Sequence, residues 1–318
     1  MFIPVTPENF TRAESDMYFD IIVRHDGGFA KFAPKRTLAP IDRQSVIREN
    51  RDTLYSSAIF DLDAGPVTVA LPASDGRFMS MEVIDEDEYV FGVYYDDAPH
   101  SLTREAVGTR YVIVAVRILV DPNDPADLAR VHALQDAIRA EQPGGPGEFA
   151  IPQWDRQSQD HVRELLIALA QTMPAMTRCF GPRDAVDPVQ HLMGAAMGWG
   201  GNPAEDALYL NVTPARNDGS IVHQLTVKDV PVDGFWSVIV YDEKGYIPAN
   251  DRDVYSYNSV TAAKDADGAV TIRFGGDSGA AANCIPIVPG WNYMVRLYRP
   301  RAEILDGSWT FPEAVPVG

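Results

Sequence analysis

The feature that most restricts this chain is an internal repeat. Phe78, Ser80, Val83, Asp85, Glu86 and Tyr89 follow the spacing F-x-S-x-x-V-x-D-E-x-x-Y, and Phe235, Ser237, Val240, Asp242, Glu243 and Tyr246 reproduce it without a gap. A second motif, G-x-x-Y with an arginine further on, occurs at Gly108, Tyr111 and Arg117 and again at Gly290, Tyr293 and Arg299. A third, D-x-L-Y, relates Asp52, Leu54 and Tyr55 to Asp206, Leu208 and Tyr209. The motifs keep their order in both halves, and six identities in twelve positions make coincidence a poor explanation. The chain therefore reads as one β module copied once. The second copy is longer between its last two motifs. The extra residues include "NDRDVYSYNS", a candidate functional loop, because insertions on a rigid β scaffold are where binding concentrates.

Local patterns agree with a β module. Short runs rich in Val, Ile, Tyr and Phe, such as "RFMSMEVI", "RYVIVAVRILV", "FWSVIVYD" and "YMVRLYRP", are separated by Gly, Pro and Asp. Asn217-Asp218-Gly219 and Asp267-Gly268 signal tight turns. Thr6-Pro7 predicts a first helix ending at Gly27-Gly28, Asp124-Pro125 opens another, and "DHVRELLIALAQTM" and "DPVQHLMGAAMGW" continue a helical stretch. The expected fold is mainly β with accessory α: two tandem duplicated antiparallel β-sandwich or jelly-roll-like domains plus a helical insert. The boundaries expected are 1–120 for the first helix and sandwich, 121–204 for the insert and 205–318 for the second sandwich.

Composition limits the partners. With 45 acidic against 27 basic residues the formal charge is −18, a surface that repels phosphate backbones and anionic headgroups. Nucleic acid and membrane are thus not expected as partners, and a small-molecule ligand is. The start, "MFIPVTPENF", has neither a basic stretch nor an apolar core, so a cytoplasmic location is expected. Cys179 and Cys284 are the only cysteines and form no C-x-x-C pair, which leaves buried reduced thiols as the reading.

The strings "NRDTLYSSAIFDLDAGP", "GWGGNP", "DVPVDGFWSVIVYD", "NYMVRLYRPR" and "LDGSWTFP" carry a family likeness. Over nearly its whole length the chain resembles bacterial proteins that combine the domains of unknown function 1254 and 1214. The resemblance implies two jelly-roll-like sandwiches with accessory helices and a homo-oligomer. It carries no settled activity, so function has to come from the residues.

Several constellations are weaker than they look. "GGDSGAA", residues 275–281, resembles a serine-protease nucleophile loop, but no matching histidine segment precedes it, so Ser278 reads as part of a glycine-rich turn. The six histidines show no metal spacing, and no Gly-rich fingerprint marks an organic cofactor; neither metal nor cofactor is expected. His191, eight residues before Trp199, reads as a core or capping histidine, and "DEDE" at 85–88 as a solvated turn.

More informative is "NRDTLYSSAIFDL", residues 50–62. In an extended strand Arg51, Thr53, Tyr55 and Ser57 share a face without being a Lys/Glu solvent face. Arg51 offers a guanidinium fork for a carboxylate or carbonyl, Asp52 or Glu82 an acid/base, and Tyr55 a hydroxyl. Tyr241, Tyr255, Asn258, Trp291 and Arg296 are candidate substrate-binding groups in the second copy. Together they suggest a cofactor-independent hydrolase or lyase acting on a small organic molecule. The alternatives are a noncatalytic module binding a small molecule or carbohydrate, and a structural scaffold in which Arg51 and Asp52 only pin an interface.

Overall fold

The computed structural model describes residues 2–44, 47–173, 176–276 and 282–317. The chain forms two compact units: residues 1–36, 54–119 and 125–204 make the first, and residues 37–53, 120–124 and 205–318 the second. The helical stretch expected as a separate insert thus packs with the first β-region. The polar residues just ahead of the first D-x-L-Y tyrosine count with the second.

In the first unit α1 is Phe10–Asp20, β1 Ala33–Pro34, β2 Thr53–Asp61, β3 Val67–Ala70, β4 Met79–Asp85, β5 Val90–Tyr94 and β6 His100–Leu102. There follow α2 Arg104–Val107, β7 Tyr111–Leu119, α3 Pro125–Ala137, β8 Arg139–Glu141, α4 Arg156–Ala170 and α5 Pro188–Gly198. A five-stranded sheet runs β1-β2-β7-β4-β5 and a three-stranded one β6-β3-β8. One face of the larger sheet presents Ile59, Ile84, Ile113 and Ala115 to Phe19 of α1, because alternate residues of a strand share a face. Phe10 and Ala13 of α1 also pack on Val162 and Leu166 of α4 and Ala195 of α5. Helix α4 begins where Asp155 accepts from the Ser158 amide, and α5 where Asp187 caps a first-turn Pro188. Thr6-Pro7 precedes the first helix instead of starting it. The Asn9 side chain accepts from the Thr6 amide at 2.8 Å, holding a turn, and α-helix begins at Phe10.

In the second unit β9 is Ala207–Val212, β10 His223–Val227, β11 Trp236–Tyr241, β12 Ser256–Asn258 and β13 Val270–Phe274. The remainder is β14 Cys284–Ile285, β15 Asn292–Tyr298, α6 Ala302–Leu305 and β16 Val315–Pro316. Sheets β12-β11-β15-β9 and β14-β13-β10-β16 enclose a core of Val238, Val240, Ile272, Phe274, Trp291 and Val295. The two-sandwich architecture is therefore present.

The strand order also shows the repeat, since β5-β4-β7-β2 in the first unit answers β12-β11-β15-β9 in the second. Asp85 Oδ1 accepts from the amides of Asp87 and Tyr89 at 2.8 and 2.9 Å, and Asp242 Oδ1 from those of Lys244 and Tyr246, both at 2.9 Å. This turn is what the D-E-x-x-Y motif encodes: a short carboxylate that accepts backbone donors two and four residues on. The arginine equivalence needs correction. In the ladders Ser80 faces Arg117 and Ser237 faces Arg296, so the structural counterpart of Arg117 is Arg296, three residues before the Arg299 that the G-x-x-Y spacing selects.

Candidate functional site

The polar candidates fall into one cluster in each unit. On the helix-covered face of the first sheet, Glu82 is fully buried, and Arg117 Nη1 donates to its Oε2 at 2.5 Å. Arg117 Nη2 donates to the Gly200 carbonyl at 3.1 Å, and its guanidinium lies 5.5 Å from the centre of the half-buried Tyr55 ring. The Gly200 amide donates to Glu88 Oε1 at 3.0 Å, and Trp199 Nε1 donates to Ser15 Oγ at 3.0 Å. "GWGG" therefore closes over the polar end of this face. Burial drives the Glu88 carboxyl well above its usual range against the Gly200 hydrogen bond, and nearby Glu14, Glu82 and Asp85 push the same way.

Sequence reasoning overlooked Glu88. It has φ +65° and takes the place that Gly245, φ +88°, holds in the second copy. A left-handed backbone at a buried, non-glycine carboxyl is strained. Reading the F-x-S motif across both copies puts these two residues in register, so the signal was present. The "DEDE" run is correspondingly not a solvated turn: Asp85, Glu86 and Glu88 are buried. His191 is a packed histidine, each ring nitrogen 2.9 Å from a backbone carbonyl and the ring stacked 4.4 Å from Tyr89.

In the second unit residues 37–44 and 47–53 lie across the outer face of sheet β12-β11-β15-β9. Gln44 exchanges two hydrogen bonds of 2.8 Å with the Ile247 backbone. Arg296 Nη2 donates to the Arg48 carbonyl at 2.6 Å, and the Tyr241 hydroxyl to the Glu49 carbonyl at 2.8 Å. Asp52 is fully buried and accepts from Asn258 Nδ2 at 3.1 Å. Its carboxyl is raised by burial, opposed chiefly by the charge of Arg296. Arg51 donates to the Ala39 carbonyl and lies 5.3 Å from the centre of the Tyr255 ring, whose hydroxyl donates to Asp253. Trp291 is a core residue, stacked on Phe274 at 5.1 Å, with His223 edge-on at 5.3 Å. The expected grouping of Arg51, Asp52, Tyr55 and Glu82 is thus divided: the first two serve the second unit and the last two the first. Ser278 lies outside the described residues.

A third feature has space. A groove of about 460 Å³ opens beside β9, lined by Leu208, Leu210, Val295, Leu297, Trp309 and Phe311, with Thr310 and Glu313 as polar lining. Its far wall is the segment 307–313, held by the Trp309 amide donating to the Glu303 carbonyl at 2.7 Å and by the Ala314 amide donating to the Tyr293 hydroxyl at 2.8 Å. None of these groove residues was a sequence candidate, since apolar alternation along β9 reads as ordinary core.

Residues 29–142 match the family model DUF1254 and residues 210–302 match DUF1214, each described as a protein of unknown function. The chain joins a DUF1254 domain to a DUF1214 domain. No curated protein matches it. The VPA0106 protein from Vibrio parahaemolyticus is similar in structure, with a TM-score of 0.73 at 16% identity over 98% of both chains. An uncharacterized protein from Burkholderia cenocepacia aligns with a TM-score of 0.52 at 14% identity, over 96% of this chain and 87% of its own. At such identities the likeness concerns the fold alone. The polar rung of Ser237 and Arg296 and the strand residues Leu210, Val295 and Leu297 of the groove lie inside the DUF1214 match, its segment 307–313 lies beyond it, and Glu82, Glu88 and Arg117 lie inside the DUF1254 match. No helix among the described residues is long and apolar enough to cross a membrane.

Proposed function

We propose that this DUF1254–DUF1214 protein is a noncatalytic small-molecule-binding protein and that its ligand occupies the groove beside β9. The observation that carries this reading is the groove's make-up. A volume of about 460 Å³, aliphatic along one side and aromatic along the other with few polar groups, is what a site for a small organic molecule requires. The hydrolase or lyase reading has less behind it. Its acid/base candidates Asp52 and Glu82 are fully buried, and Glu82 is engaged by Arg117 at 2.5 Å. A cytoplasmic setting, away from nucleic acid and anionic membranes, fits the formal charge of −18.

The test is a titration of the protein with a short uncharged alkyl alcohol, followed by thermal denaturation and by the fluorescence of Trp309. Binding raises the melting temperature in proportion to the logarithm of ligand excess. Leu210→Trp fills the groove and is expected to weaken binding by about tenfold or more, roughly 1.4 kcal/mol, while circular dichroism stays native. Equal binding by the folded variant removes the groove from consideration.

A further inference from the structure

The groove's two sides differ in chemistry, which restricts what it can hold. One side is aliphatic, with Leu208 and Leu210 on β9 and Val295 and Leu297 on β15. The other carries the Trp309 and Phe311 rings, set edge to face at 6.0 Å, and Glu313 on the same segment. Charge along that segment is mostly negative. From 301 to 314 the acids are Glu303, Asp306 and Glu313 and the base is Arg301, whose Nε donates to Asp233 at 2.7 Å. Asp306 is held ionised by backbone donation from Ser308, and Ile304, between Glu303 and Asp306, lines the groove. An indole face attracts an ammonium through its quadrupole, a carboxylate attracts it directly, and the same carboxylate repels an anionic head.

Resting on the groove as the ligand site, we propose that the ligand is a cationic amphiphile, with an apolar body along Leu208, Leu210, Val295 and Leu297 and an ammonium group against Trp309 and Glu313. The neutral surface of the body supplies affinity and the head supplies orientation. A fatty-acid-like anion is discriminated against, because its carboxylate enters beside Glu313 on a chain of net charge −18.

The experiment compares octylamine, octanol and octanoate on the whole chain at low ionic strength, then hexyl to decyl amines. The order expected is amine, alcohol, carboxylate, with affinity rising about fourfold for each added methylene until the groove is full. Glu313→Gln narrows the amine-to-carboxylate ratio by about two- to fivefold and leaves octanol binding unchanged, as an exposed ion pair would. Trp309→Leu weakens the amine more than the alcohol. If octanoate binds as well as octylamine, or Glu313→Gln leaves the ratio intact while Leu210→Trp still abolishes binding, the head-group inference fails and the groove stands. If no probe binds, both fall.

Discussion

The rung Ser80–Arg117 in the first unit and Ser237–Arg296 in the second are the same sheet position, yet their charge is balanced in two ways. Arg117 meets Glu82 two residues along its partner strand, where the second copy has Ile239. Arg296 has no acid on that strand. It is met by the Arg48 carbonyl from residues 37–53, with Asp52 nearby contributing charge. The contrast continues at the turn, where strained Glu88 answers relaxed Gly245. The first copy has buried carboxyls around its arginine, while the second has a backbone carbonyl at its own and an open groove at the other face of the sheet. A buried guanidinium is thus a constraint with several solutions, since any set of well-placed acceptors offsets its desolvation.

The largest test of this contrast is arginine removal. Arg117→Ala leaves the buried Glu82 without the guanidinium that donates to it and is expected to cost about 3–5 kcal/mol, whereas Arg296→Ala removes a donor to the Arg48 carbonyl and the charge that chiefly opposes the burial of Asp52, which can take up a proton instead, and costs about 1–3 kcal/mol. Urea denaturation of the two variants reads the difference, and equal losses would erase the distinction between the units. Replacing Arg117 and Glu82 together with leucine should recover most of the loss, because neither member of the pair is then left buried without the other.

Next in size is the response to pH. In the first unit burial lifts Asp16 to about 7 and Asp85 to about 6. A carboxyl with a raised folded-state value binds its proton more tightly folded than unfolded. The stability from that preference is full below about pH 4 and declines as pH rises toward about 7. Denaturation midpoints measured from pH 4 to pH 8 should therefore fall, by the equivalent of a few kcal/mol. Asp16→Asn, which keeps an acceptor for the Trp154 indole N–H at 2.7 Å, should flatten the profile and stabilise the protein above pH 7. A profile as steep in Asp16→Asn as in the parent would assign the effect to other groups.

The smallest effects belong to the turn. Gly245→Ala places a Cβ in a left-handed backbone and should cost about 1 kcal/mol. Glu88→Gly relieves the same strain and removes a buried carboxyl, so it should be neutral or stabilising by about 1 kcal/mol despite losing the Gly200 hydrogen bond. A large loss in Glu88→Gly would instead make that hydrogen bond the chief support of "GWGG".

What was legible in the sequence followed from local rules. The short apolar runs "RYVIVAVRILV" and "FWSVIVYD", the helix at Asp187-Pro188 and the repeated D-E-x-x-Y motif each depend on residues within a few positions of one another, and all are readable. The polar stretch 50–62 stands out in the sequence, and strand alternation alone places Arg51 beside Tyr55. Strand β2 begins only at Thr53, so that alternation does not extend to Arg51. Glu88 was hidden because a buried carboxyl in an acidic run looks solvated in one dimension.

By itself, then, the amino-acid order determined that two β modules of common origin would form, with helices beside the first, since motif spacing and apolar periodicity are properties of the chain before it folds. Only the tertiary structure decided which carboxyl answers which arginine, to which unit residues 37–53 belong, and that Leu208, Leu210, Trp309 and Phe311 bound an open groove. Those outcomes depend on contacts between residues far apart in the chain, from 35 positions for Glu82 and Arg117 to 248 for Arg48 and Arg296, whose distances no local pattern encodes.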